Sequence, residues 1–250
     1  MDTLRPRTIL LLGVEFNNAS LADIMKRLLA RPSGARFGYV VTPNADHIDR
    51  LWRIPRLRMV YRHAMICLLD SQLIGNCARF FGLPRPEVVT GAGLAETLLA
   101  RLEGRRVAVI GMTPKDFGAL ARRYPKVIFQ HHQPPMGLLK NTPAFYAARD
   151  FVRRSHCPFT FIALGSPVQE LLAYAIAIKR DAVGIGLCIG AGLEFSAGIT
   201  PRAPLWMRRR GLEWLHRLCH DPARLAGRYL ISDPKVLAAL AIAAFRQKAH

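Results

Sequence analysis

Apolar residues along this chain gather into short, mostly uninterrupted runs. Thr8–Val14, Gly38–Val41, Ala64–Leu69, Arg106–Gly111, Val127–Gln130, Pro158–Leu164 and Val183–Ile189 each read as a strand. A run that is apolar at nearly every position suits a strand covered on both faces, as in a parallel sheet. The intervening stretches carry helix signals. Ser20 is placed to cap SLADIMKRLLA with Asp23 reciprocating three residues on, and Thr113 or Pro114 opens PKDFGALARRY. Pro143 and Pro167 fall where a first helical turn tolerates proline. The alternation predicts an α/β architecture, a mostly parallel sheet with helices on both faces.

The pattern changes near Gly198. From Thr200 to His250 the sequence predicts helices only, punctuated by Pro204, Pro222 and Pro234. Leu205, Leu212, Leu215 and Cys219 share one side at helical spacing, while Arg209, Arg210 and Arg217 fall elsewhere on the wheel. Val236 to Phe245 is apolar nearly all round. This reading divides the chain into an α/β body, residues 1–199, and a basic helical C-terminal appendage, residues 200–250.

Composition narrows the partners. A chain 51% apolar and 21% charged can build a substantial core, which argues against wholesale disorder. Its formal charge of +19 points to anionic partners: nucleic acid, anionic lipid headgroups or phosphorylated substrates. Most of the cations are arginine, whose planar fork matches phosphate oxygens. Against nucleic acid stand the lack of a helix-turn-helix signature and of an aromatic stacking platform, with only 8% aromatic residues. The five cysteines are scattered and form no C-x-x-C pair; Cys67, Cys157 and Cys188 sit in or beside strand runs and read as small buried hydrophobes in a reducing cytoplasm. The opening apolar run is too short for a secretory signal, and no stretch approaches the ~20 apolar residues of a membrane span. The expectation is a soluble or peripheral protein.

Several segments place chemistry where ligands bind in open α/β sheets, beyond the carboxyl ends of strands. VVTPNADHID follows a strand and delivers Thr42, Asn44 and His47 there, although Asn44 is equally a helix cap. Asp70, directly after an apolar run, reads as a general base, a metal ligand or a cap. A metal-dependent phosphatase would carry a second Asp where Gln72 stands, and no D-x-D occurs in the chain. In FIALGSPVQE the strand ends on Gly165, Ser166 and Pro167 before a helix whose backbone N–H groups suit a phosphate or ring edge. Gln169 and Glu170 can add hydrogen bonds to a base or sugar. Ser166 is not in G-x-S-x-G and no G-x-G-x-x-G is present, which excludes a hydrolase elbow and leaves dinucleotide binding unsupported. His131 and His132 are adjacent but lack a third ligand at useful spacing, so zinc is not expected; His132 reads as loop-fixing or substrate-facing.

In their order, these segments resemble the WecG/TagA/CpsF glycosyltransferases across nearly the whole chain. The matching stretches are TPNADH, LLDSQ, ARFFGLPRPEVVTGAGL, HHQPPMG, LGSPVQE, GAGLEFSAG and, most diagnostic, RAPLWMRRRGLEWLHRLCHDPARLAGRYL. The resemblance implies a Rossmann-like core and an inverting, metal-independent transferase with no cofactor. The donor is a UDP-sugar of N-acetylmannosamine type or related, and the acceptor a polyprenyl-diphosphate-linked glycan of cell-surface polysaccharide synthesis. The enzyme works at an anionic membrane surface on the cytoplasmic face of the plasma membrane; homo-oligomerisation stays open. Carried over by motif, Thr42, Asn44 and Asp70 belong to the catalytic pocket and Gln169 and Glu194 to the nucleotide pocket. Arg217, Arg224 and Arg228 of the appendage meet the diphosphate. Two departures stand out: Ser71 follows Asp70 where many relatives have Gly, and Glu194 replaces a commoner Asp. A non-catalytic scaffold of the polysaccharide machinery is the alternative, and a nucleic-acid-binding protein a more distant one.

Overall fold

A computed structural model describes residues 7–204, 206–207, 210, 213–220 and 233–248. Its centre is a six-stranded, all-parallel sheet. The strands are β3 (Gly38–Val41), β4 (Ile66–Cys67), β5 (Arg106–Gly111), β6 (Ile128–His132), β7 (Phe159–Ala163) and β8 (Ile185–Cys188), in spatial order β4-β3-β8-β7-β5-β6. The register pairs Val41 with both Cys67 and Cys188, so β3 lies between its neighbours in step.

Successive side chains of a strand point to opposite faces, and the apolar runs therefore feed two cores. Val41, Cys67, Ile110, Ile162 and Cys188 join one cluster. Val40, Ile66, Val109, Phe161 and Leu187 join the other. Helices α2 (Ala45–Arg53), α3 (Leu57–Arg62), α4 (Gln72–Phe80), α7 (Thr142–Ser155) and α8 (Val168–Lys179) cover the first face. Helices α1 (Leu21–Ala30), α5 (Gly91–Leu99), α6 (Pro114–Arg123) and α9 (Gly192–Ser196) cover the second. Burying each such aliphatic side chain contributes about 1.5–3 kcal/mol, which is why two-sided apolar runs, not alternating ones, specify this sheet. The helix signals hold as well. Ser20 and Asp23 form a capping box on α1, and Thr113 caps α6 with Pro114 following it.

One expected strand is two. Thr8–Val14 does not enter the parallel sheet; β1 (Thr8–Leu11) and β2 (Val14–Asn17) form an antiparallel hairpin of their own. The turn is made by Leu12 and Gly13, both with positive φ (56° and 80°), as a two-residue hairpin turn requires. The hairpin is tied to the sheet where the Cys67 N–H donates to Asn17 Oδ1 at 2.7 Å. The expected strand Ala64–Leu69 is shorter, reduced to β4, and Val127–Gln130 is shifted to Ile128–His132.

Within residues 200–250 the described elements are the helices α10 (Glu213–His220) and α11 (Asp233–Lys248), preceded by a non-helical stretch at residues 200–204. Arg202 pairs with Glu96 of α5 at 2.8 Å, and Ala203 is buried beside it in sequence. Helix α11 packs on α2 and α4, placing Val236 and Leu240, both fully buried, in the first core. The run that reads as apolar all round thus has one covered face, while Ile242 and Phe245 are exposed.

Candidate active site

The chain runs from β3 outward to β4 and then crosses the sheet to β5, while β8 returns to β3's other side. Such a reversal opens a crevice at the carboxyl ends of the strands, and Thr42 and Asp70 lie at that end. Thr42 follows β3 and is buried, its hydroxyl donating to the Cys188 carbonyl at 3.3 Å. Asp70 lies three residues beyond β4. Its N–H donates to the Pro43 carbonyl at 3.0 Å, and its Oδ2 accepts from the Gly91 N–H at 3.1 Å. The carboxylate is therefore pinned to the first residue of α5. A Cβ added at Gly91 would lie 2.8 Å from Thr42 Oγ1 and 3.4 Å from Asp70 Oδ2, so both side chains close on the same glycine.

Ser71 has a clear local role. With φ at −158° it is extended and needs no glycine, and its hydroxyl accepts from the Ile74 N–H at 3.2 Å, capping α4. Asp70 is thereby not the helix cap. Asn44 is one: its Oδ1 accepts from the His47 N–H and lies 2.7 Å from His47 Nδ1 in a capping box on α2. His47 continues inward, its Nε2 3.5 Å from Glu170 Oε1. The same oxygen accepts from Gln169 Nε2 at 2.8 Å, and Gln169 Oε1 accepts from the Gly190 N–H at 2.8 Å. Gln169 and Glu170 are 4% and 1% exposed, so this chain of bonds locks the loops after β3, β7 and β8 together from inside. Burial alone would push the Glu170 carboxyl up; bonding to His47 and its charge, with help from Gln169, outweigh that and hold it below the ordinary carboxylate range.

Ser166 faces the same neighbourhood, accepting from Arg50 Nη1 at 2.7 Å, while Arg50 Nη2 pairs with Asp46 at 2.8 Å. Gly165 is exposed, and Pro167 takes the cap position of α8 instead of its first turn. Glu194, half-buried on α9, accepts from the Thr200 hydroxyl at 3.3 Å. His132 does not belong to the cluster. It ends β6, four strand positions from β3 and so about 19 Å away at ~4.8 Å per strand. Its ring stacks on Phe151, and burial, then neighbouring His131, keep it from protonating as readily as a free imidazole. Arg217 lies on α10, with its side chain outside the described residues; Arg224 and Arg228 also lie outside them.

Sequence reasoning missed Gly91 and Arg50. The Thr-Gly-Ala-Gly start of α5 was the visible signal for the first, and the Asp46–Arg50 spacing of i to i+4 for the second. Among the described residues, no three His, Cys, Asp or Glu side chains are grouped to hold a metal, and no helix is long and apolar enough to cross a membrane.

This arrangement, a parallel α/β sheet with a carboxylate, a hydroxyl and a buried polar network at its carboxyl rim, is that of a group-transfer or ligand-binding α/β protein. The chain matches the glycosyl transferase WecG/TagA/CpsF family over residues 9–250, and it belongs to that family. It is a glycosyltransferase. Among curated relatives, it is 22% identical over 224 residues to an N-acetylglucosaminyldiphosphoundecaprenol N-acetyl-beta-D-mannosaminyltransferase of Staphylococcus aureus strain MW2, covering 86% of this chain and 85% of that one. The protein of the same name from strain MRSA252 is 23% identical over 230 residues, with the same coverage.

Proposed function

We propose that the chain transfers N-acetylmannosamine or a related sugar, with inversion, from a UDP-sugar to a polyprenyl-diphosphate-linked acceptor ending in N-acetylglucosamine. The observation that carries this reading is the convergence of Thr42 and Asp70 on Gly91 at the carboxyl rim of the sheet. It is supported by the family and by the activity for which the Staphylococcus aureus relatives are named.

Inversion needs an acceptor hydroxyl to attack the anomeric carbon from the face opposite the leaving nucleotide. As the new C–O bond forms and the bond to UDP breaks, the hydroxyl proton passes to Asp70. Thr42, fixed against the Cys188 carbonyl, holds sugar or phosphate in line, and Asn44 acts by capping the α2 start beside it. Gly165 and Ser166, with Gln169, Glu170 and Glu194 behind them, shape the nucleotide side. Negative charge growing on the diphosphate is met by guanidinium groups, not a metal, with Arg217, Arg224 and Arg228 as candidates for bidentate contacts. In this reading residues 200–250 complete the site, and the +19 charge draws the protein to the anionic inner face of the plasma membrane, where the acceptor's lipid resides.

The test is turnover of UDP-sugars on a synthetic polyprenyl-diphosphate acceptor by the parent chain and by Asp70→Asn. Loss of a general base lowers the rate on the order of 10²–10⁴ while UDP affinity stays nearly intact. An equal loss of affinity and rate would refute the base assignment, and absence of turnover with any donor would favour the scaffold reading.

A further inference from the structure

A second cavity lies away from the carboxyl rim. It has a volume of about 750 Å³ and is formed where the β1–β2 hairpin, the end of α1 and the end of α3 meet the start of β4. None of Thr42, Asp70, Gly91, Gln169 and Glu170 lines it. Its wall runs through Ala64, Met65, Ile66 and Cys67, the last of them three residues, about 10 Å of extended chain, before Asp70. The volume falls within the roughly 300–1,000 Å³ of small-molecule pockets.

Its charge is one-sided. Arg27, Arg31, Arg58, Arg62 and His63 line it, against the single carboxylate of Glu15. Among the described residues, no ion pair engages any of the four arginines. Arg27 and Arg62 sit in the last turns of α1 and α3, where a cation offsets the helix dipole, but that role needs no convergence on a shared cavity. Backbone carbonyls take only part of the arginines' donors: Arg31 Nη2 donates to the Arg36 carbonyl at 2.5 Å and Arg58 Nε to the Leu51 carbonyl at 3.3 Å. Arg31 Nη1 rests on the Met65 sulfur, and its buried Nε has no hydrogen-bond partner. Guanidinium groups lining one cavity repel one another, and a multiply charged oxyanion relieves the repulsion while accepting bidentate bonds. The remaining wall mixes Thr8, Asn17 and Tyr61 with the buried apolar side chains of Leu28, Leu51 and Ile66, so the charged part of an anionic ligand is directed to the arginines.

We propose that this cavity is a second anion site, separate from the transfer centre, which takes a phosphoryl-bearing ligand. The phosphoryl group can come from a soluble phosphorylated molecule or from an anionic phospholipid headgroup, and the two sources are separable. The full-length chain is titrated with inorganic pyrophosphate by calorimetry, and sedimented with vesicles of phosphatidylglycerol and phosphatidylcholine in equal parts. Both measurements are repeated with Arg58→Gln/Arg62→Gln, two exposed positions on α3. Loss of a charge-assisted bond weakens binding about 10- to 100-fold per guanidinium. Pyrophosphate affinity lowered on that scale identifies a soluble ligand. Sedimentation lost, with pyrophosphate competing for it in the parent, identifies the headgroup. Unchanged behaviour in both overturns the proposal. Should the double variant melt early, the His63 ring resonance of the unaltered chain, assigned with His63→Gln, decides: a shift on adding pyrophosphate supports the site, and none overturns it.

Discussion

Adding one methyl group at Gly91 separates folding from chemistry in this protein. The new Cβ would sit 2.8 Å from Thr42 Oγ1, 3.4 Å from Asp70 Oδ2 and 3.5 Å from Ile189 Cγ2. The last two are tight or ordinary contacts; the first is not tolerated, so Thr42 must turn or move. Moving it gives up the hydrogen bond to the Cys188 carbonyl, a loss of about 0.5–1.5 kcal/mol. Replacing Gly by Ala in a helix returns up to about 1 kcal/mol, and less at a first position such as this. The balance is a stability change of roughly 0–1 kcal/mol, or a melting shift of no more than about 4 °C for a chain of this size. Displacing the Thr42 hydroxyl from beside the Asp70 carboxylate costs far more in rate, about 100-fold for a shift near 1 Å. The assay pairs thermal denaturation with sugar-transfer turnover, using Gly34→Ala, where an added methyl meets nothing within 4 Å, as the control. A Gly91→Ala protein with parental turnover would remove Thr42 and Asp70 from the reaction centre.

Two further outcomes are expected. Leu240→Ala should lose about 2–5 kcal/mol of stability by urea denaturation, because Leu240 is fully buried against α2 and α4, whereas Phe245→Ser, on the open side of α11, should lose little; equal effects would place the helix elsewhere. Glu170→Gln should destabilise by about 1–3 kcal/mol at neutral pH. Because the folded Glu170 carboxyl titrates below its ordinary 4.5, the unfolded state binds more protons in that range, so this stabilisation is complete at neutral pH and is lost as pH falls through 4.5 and below. Urea midpoints measured from neutral to acid pH should fall less steeply in the variant, and identical slopes would refute the role of the pair with His47.

What the sequence displayed and what it hid follow from how local each signal is. Strands β3, β5, β7 and β8 are apolar almost throughout, broken only by Arg106 at the exposed start of β5 and buried Thr160 in β7, so two-sided burial writes itself into nearly every position. The β1–β2 hairpin was hidden because its turn falls on Leu12, an apolar residue held at positive φ inside TILLLGVEF, so an interruption of the backbone leaves the hydropathy unbroken. Asp70 and Thr42 were legible as residues following strands. Their meeting at Gly91 was not, because that contact joins segments from β3, β4 and α5. His132 stands apart from Thr42 and Asp70 because the conspicuous His-His pair ends β6, at the edge most distant from β3 and β4. The arginine cavity draws on α1 and α3, separated in sequence by β3 and α2, and each contributing guanidinium reads by itself as ordinary surface charge.

Two described parts of residues 200–250 are held to opposite faces of the body. Arg202 and Ala203 hold the chain to the α5 side of the sheet, and Val236 and Leu240 hold it to the opposite side, over α2 and α4. Helix α11 thereby lies against the two helices whose first residues follow Asn44 and Ser71, the caps on either side of the Thr42–Asp70 pair. Loosening α11 would therefore loosen the starts of α2 and α4 before it altered any bond-making step.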